Sequence, residues 1–272
     1  AAIPDAKLKG IGVGLPANVE PETGIYNGAS YYPNLKGVKV RESLAAKYHV
    51  HTIVDHDVIL MTMAEYYLNK SNPAKDFGAL FIGRSIGCRF IINGEVYRGV
   101  SNRASEFGHL SLQYDGPQCY CGNRGCFERL ANTDAIEHAY DNGKTFMEII
   151  DLARRHDPRA EDIFRREAEY IAMAVANIQN LMDVDAIVIN GDIVLARDVL
   201  DAELHRQLQR RGFCNRNLDH DRVSFSKIGR QVGIAGPAIM AADRYFLANG
   251  INIFPHRKIL PPSRAGHKTA AK

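Results

Sequence analysis

The chain has no tryptophan, only 8% aromatic residues and no apolar run near the ~18 residues that a membrane-spanning helix needs, so a membrane span is excluded. The N-terminal stretch AAIPDAKLKG lacks a basic start, an apolar core and a small-residue cleavage site, so no secretory leader is read there and the expected compartment is the cytoplasm. Charge of one sign is also missing: 34 Lys and Arg stand against 31 Asp and Glu, a net +3, too even for nucleic-acid binding by field alone. No internal repeat of about 20–50 residues is visible, which excludes a solenoid. With 272 residues, 46% hydrophobic and 24% charged, the composition is that of a globular protein and excludes disorder as the main state.

Short apolar runs alternate with helical stretches around glycine-rich turns, the pattern of an α/β protein. Strands are predicted over 9–15, 51–54, 78–82, 88–92, 95–97, 186–189 and 223–226, and Asn93-Gly94 supplies a hairpin turn. Helices are predicted over 42–48, 58–68, 134–140, 146–155, 161–181, 198–211 and 236–247. The helix over 161–181 should be a central packing element, because Phe164, Ala168, Ile171, Val175, Ile178 and Met182 recur three and four residues apart. Asp57 takes an N-cap-like position before Val58. The glycines of KGIGVGL suggest close backbone approach, and an interior-type strand this early suggests that the chain begins part-way through a domain. The tail over 255–272 is basic, non-periodic and expected to be flexible.

Cysteine is sparse but concentrated: of five, Cys119, Cys121 and Cys126 fall within eight positions. Together with His109 they form H-x9-C-x-C-x4-C, with Gly122 and Gly125 letting the backbone fold tightly around a centre. Three thiolates and one imidazole complete a tetrahedron and leave no position for water, so the expected cofactor is a structural Zn2+ rather than a catalytic one. Three unliganded loop thiols are the alternative. Cys88 and Cys214 stand in apolar or isolated contexts and are read as unliganded.

The segment Glu106-Phe107-Gly108-His109, followed by Cys119-Tyr120-Cys121-Gly122-Asn123-Arg124-Gly125-Cys126-Phe127-Glu128, resembles the linked signatures G-E-x-G-H and C-x-C-G-x-x-G-C-x-E of the ROK family (repressors, open reading frames and sugar kinases). The likeness extends over 9–247, through Gly10 to Gly24, Pro33-Asn34-Leu35, Val54 to Asp57 with Ala64-Glu65, the glycine hairpin Gly83 to Gly94, and the helix from Gly236 to Ala242. It implies a ribonuclease-H-like (actin-like ATPase) fold of two lobes with a structural zinc loop and a hexose-type sugar in the cleft. It divides the chain into 1–58 as the remainder of an N-terminal lobe, 59–254 as a C-terminal lobe carrying the zinc loop 105–130, and the tail 255–272. By the same resemblance Asp57 contacts the sugar and is the general base in kinases, while Glu106, His109 and Glu128 hold the remaining hydroxyls. Carboxylates suit that task because each accepts two hydrogen bonds, and charged acceptors make the stronger ones. A homodimer or tetramer is also implied.

Four departures from the family pattern lean one way. The D-x-G-G-T turn that holds ATP phosphates in the family's kinases occurs nowhere in this chain. The loop G-T-G-I-G-x-G reads Gly83-Arg84-Ser85-Ile86-Gly87-Cys88-Arg89, so Arg84 and Arg89 stand where backbone would have to approach a phosphate; guanidinium groups that themselves bind phosphate are the alternative. His56 replaces the asparagine before the aspartate, where it can still donate to a sugar hydroxyl, and Ala17 replaces the glycine after Pro16. The expectation is a catalytically inactive, sugar-binding effector portion of a ROK-type transcriptional regulator, with DNA reached only through a helix-turn-helix segment that this chain does not contain. An ATP-dependent sugar kinase is the alternative.

Overall fold

The computed structural model describes residues 7–16, 19–28, 33–68, 75–211 and 222–253. Contacts divide the chain into two units, one of residues 1–57 with 237–272 and one of residues 58–236. In the first, β1 (Gly10–Leu15) pairs in parallel with β4 (His51–His56), Gly10 opposite His51 and Leu15 opposite His56. A short hairpin, β2 (Val19–Glu20) with β3 (Ile25–Tyr26), and helix α1 (Val40–Tyr48) complete the small core of Val19, Tyr26 and Val54. The glycines of β1 have a steric cause. A Cβ on Gly12 would lie 2.0 Å from the Pro237 carbonyl oxygen, and one on Gly10 would touch Ala241, so the final helix α8 (Val232–Ala248) lies against the strand at backbone distance. That contact groups the end of the chain with its beginning, where the sequence kept 59–254 together. Asp57 is the first residue of helix α2 (Asp57–Leu68) rather than a flanking cap. Ala17, Cys214 and the tail 255–272 lie outside the described residues.

The second unit is built on a five-stranded sheet in the order β7-β6-β5-β8-β9. β5 (Phe77–Ile82), β6 (Ile86–Ile92) and β7 (Glu95–Val96) run as an antiparallel meander, and β8 (Ala186–Asn190) and β9 (Val223–Phe225) extend it in parallel from β5. β8 is buried at every position, which its unbroken apolar run AIVI requires of a strand covered on both faces. The helices of this unit are α2, all but its first residue, with α3 (Phe127–Ala131), α4 (Thr133–Tyr140), α5 (Phe146–Arg154), α6 (Pro158–Met182) and α7 (Arg197–Arg211). The apolar faces of α3 to α7 meet the sheet in one core containing Leu80, Phe90, Phe127, Ile150, Phe164, Ile171 and Leu204. α3 and the β2–β3 hairpin fall in segments whose short, turn-rich sequences gave no periodic signal.

α6 starts where Asp157 accepts from the Ala160 N–H at 2.9 Å and Pro158 opens the first turn, and it buries Phe164, Ala168, Ile171, Val175 and Ile178 of the predicted stripe together with Ile163, while Met182 at its end is half-buried. Glu167 lies in that stripe. Burial alone holds its carboxyl well above the ordinary value of 4.5. The folded state therefore keeps a proton that the unfolded chain releases, so this contribution to stability is complete below pH 4.5 and declines as pH rises toward the folded value. Glu167→Gln should flatten that decline when melting temperature is measured against pH. An unchanged slope would mean that Glu167 is ionised in the fold.

Candidate metal centre and candidate carboxylates

The loop between β7 and α3 meets the core through Phe107, Leu110 and Leu112, and beyond them it folds largely on itself. Phe107–His109 makes one 3-10 turn whose Gly108 passes the Ile86 carbonyl so closely that a Cβ would lie 2.2 Å from that oxygen. Gly125 has φ +62° and would place a Cβ 1.7 Å from the Gln113 oxygen, so both the left-handed backbone and the close approach require glycine. The Cys119 N–H donates to Asn123 O at 2.8 Å, and Asn123 Nδ2 donates to His109 O at 3.2 Å and Ser111 Oγ at 3.0 Å. These bonds bring His109, Cys119, Cys121 and Cys126 together, with ligand atoms all within 4.8 Å of one another.

The donor set suits zinc on geometry as well as chemistry. A tetrahedral centre with Zn–S near ~2.3 Å and Zn–N near ~2.0 Å has ligand-to-ligand edges of about 3.5–3.8 Å. Cys119 Sγ lies 3.7 Å from His109 Nδ1, and Cys121 Sγ 3.7 Å from Cys126 Sγ. The imidazole thus turns Nδ1 toward the thiols, while Nε2 lies 3.4 Å from the Tyr120 hydroxyl. Cys88 is fully buried in β6, and burial pushes its thiol up to about 12, as expected of an inert core cysteine.

Two carboxylates flank this loop with different environments. Glu106, immediately before the 3-10 turn, is 54% exposed, and its Oε1 accepts from Arg89 Nη2 at 3.1 Å. Glu128, in the first turn of α3, is buried, and its Oε2 accepts from the Ile86 N–H at 2.8 Å. Glu106 can offer acceptor sites to a ligand; Glu128 already spends one holding the turn before β6. In the first unit β4 delivers Asp55, His56 and Asp57 at its C-terminal end. Asp55 is buried and accepts from the His56 N–H at 2.8 Å, and His56 Nδ1 lies 3.0 Å from Asp57 Oδ1.

The glycine loop differs from its sequence expectation in one respect. Arg84 stands in the turn, exposed and 3.6 Å from Asp134. Arg89 does not: it lies within β6, its side chain only 4% exposed, and its guanidinium donates to Cys88 O at 2.8 Å, Ser105 O at 3.0 Å and Glu106. It is the positioning residue for Glu106, a role invisible across 17 residues of sequence. The turn is also bound internally. The Gly83 N–H donates to Ser85 O at 3.0 Å, Asn132 Nδ2 donates to Arg84 O at 2.8 Å, and the Thr133 N–H donates to Gly83 O at 2.9 Å. Another buried acid, Glu65 of α2, accepts from Ser226 Oγ and Asn190 Nδ2, tying α2 to the C-terminal ends of β8 and β9.

The layered sheet with its meander and parallel extension is an actin-like ATPase fold, shared with solved ROK proteins; the glucokinase from Streptomyces griseus in complex with glucose and AMPPNP aligns with a TM-score of 0.77 over 88% of this chain and 83% of that one, at 21% identity. The ROK family model matches residues 4–244, and the chain belongs to that family. Both functional branches are among its relatives. The DNA-binding transcriptional repressor Mlc of Escherichia coli is 25% identical over 84% of this chain, which spans 60% of the repressor's length. A glucokinase of Halalkalibacterium halodurans is 26% identical, over 84% of this chain and 74% of the enzyme. Among the described residues no helix is long and apolar enough to cross a membrane.

Proposed function

We propose that this chain is the sugar-sensing portion of a ROK-type transcriptional regulator, with a structural zinc on His109, Cys119, Cys121 and Cys126, and that it transfers no phosphate. The observation that carries this reading is the state of the glycine loop. Backbone N–H groups are what such a loop offers to phosphate oxygens, and here those of Gly83 and Ile86 already donate to Ser85 O and Glu128. The acceptors suited to sugar hydroxyls are accessible by contrast: Glu106 is exposed, Asp57 lies partly exposed beside His56, and paired acceptors on a carboxylate match vicinal hydroxyls. When bound, zinc supplies structure rather than chemistry, because four protein ligands fill its tetrahedron. It would fix the loop that starts at Glu106 and ends at Glu128. DNA contact is assigned to no surface of this chain, in line with its even charge.

The test is a thermal-shift and calorimetric screen of the zinc-loaded protein against hexoses, pentoses, amino sugars and their phosphates, each with and without Mg-ATP. One sugar should stabilise the fold, by about 2.7 kcal/mol at a concentration of 100 times its Kd, with no further effect of Mg-ATP and no phosphorylated product. Product formation would overturn the reading and assign the kinase alternative, with Asp57 as the base that takes the proton of the attacking hydroxyl.

A further inference from the structure

A second polar feature of the 58–236 unit involves neither the carboxylates described above nor the metal loop. α4 and α6, with Leu130 and Arg129 of α3 and Pro117 of the loop, line a cavity of about 510 Å3 that opens to solvent. Ile136 and Ile163 give it apolar walls. Glu167 lines it while only 2% exposed, and Glu167 Oε1 is buried with no hydrogen-bond partner among the described residues. A buried acceptor without a partner is rare in a folded protein, and a cavity beside it supplies room for one.

The chemistry of the lining narrows the ligand. A carboxyl enclosed by apolar side chains keeps its proton, so it offers an O–H donor and a C=O acceptor side by side. A primary amide presents the complementary pair and buries no net charge. The exposed charges of the lining are Arg129 and Arg166 against the single carboxylate of Asp134, a net positive set that disfavours a cation, with Arg166 lying 3.2 Å from Asp162. We propose that this cavity binds a small amphiphilic molecule whose inner end is a neutral amide set against Glu167 and whose outer end is an anionic group met by Arg129 and Arg166. The site does not depend on sugar recognition or on the regulator reading.

The probe is para-carbamoylbenzoate, titrated by calorimetry and saturation-transfer NMR into the full zinc-loaded chain, with benzamide and benzamidine as comparators. Saturable binding of para-carbamoylbenzoate is expected. Glu167→Leu should weaken it at least about tenfold, the loss of a paired hydrogen-bonding edge, whereas Glu167→Gln, which keeps donor and acceptor side by side, should stay within about threefold. Replacing both Arg129 and Arg166 with alanine should weaken the carboxylate-bearing probe and leave benzamide unchanged. Thermal melting establishes that each variant is folded. Tighter binding of benzamidine than of benzamide, equal binding by wild type and Glu167→Leu, or no saturable binding at all would each overturn the proposal, the last meaning that the cavity holds only solvent.

Discussion

Replacing Cys126 with serine is expected to abolish zinc binding and to release residues 109–126 from protection against hydrogen exchange while α6 and β8 keep theirs. The size of the effect follows from what else holds the loop. Beyond Leu110 and Leu112, which are half-buried against the core, only Gly116, Cys119 and Gly125 are buried before Cys126, and Tyr114, Tyr120 and Cys121 are exposed, so apolar burial contributes little over the rest of the loop. Besides the two isolated bridges, Ser111 with Cys126 and Gln118 with Arg124, the backbone of the loop has only short turn bonds such as Gly116 N–H to Gln113 O and Gly122 N–H to Cys119 O, and net contributions of ~1 kcal/mol per bond cannot order some 16 residues that each cost ~1–2 kcal/mol in chain entropy. Structural zinc in small motifs supplies an apparent ~10–16 kcal/mol, which is of the size required. Chelation of the wild-type protein should reproduce the exchange pattern of Cys126→Ser. Metal analysis giving one zinc in the variant, or unchanged exchange over 109–126, would mean that the four side chains are packed thiols and an imidazole without a metal.

Legibility in the sequence followed the range of the interactions. Every long helix and every strand of the five-stranded sheet is marked by its own periodicity or apolar run, because those signals are local: Phe164 through Ile178 on α6, AIVI on β8, Asn93-Gly94 between β6 and β7. The cluster of His109, Cys119, Cys121 and Cys126 was legible for the same reason, all four lying within 18 consecutive residues whose spacing is the signal. Arg89 was not, since its part is decided by Ser105 and Glu106, on the far side of β7 and a connecting loop. Nor was the grouping of α8 with β1, which depends on Gly12 meeting Pro237 across 225 positions. Glu167 was concealed differently: a single acid in an apolar stripe reads as tolerable noise until its Oε1 is found without a partner.

Glu106→Ala is expected to weaken sugar binding by about 100- to 1000-fold, the loss of two charge-assisted hydrogen bonds at ~1.5–3 kcal/mol each, moderated by solvent at a half-exposed site. Its effect on stability should be far smaller. The Arg89–Glu106 pair has one exposed partner, so about 1 kcal/mol or less is at stake. Arg89 also retains Cys88 O and Ser105 O as acceptors when Glu106 is gone. Affinity and stability therefore separate, which a merely structural role for Glu106 would not allow. Glu106→Gln should fall between, because an amide oxygen still accepts from Arg89 and from one hydroxyl but without the charge. Arg89→Lys is the complementary variant: one ammonium lacks the planar fork that spans Ser105 O and the Glu106 carboxylate, so sugar affinity should drop although Glu106 is intact. Asp57→Ala tests the first unit independently, where the expected loss of affinity leaves zinc content at one per chain. Unchanged sugar affinity in Glu106→Ala, measured with the sugar that stabilises the wild type, would remove Glu106 from the site and with it the purpose assigned to Arg89.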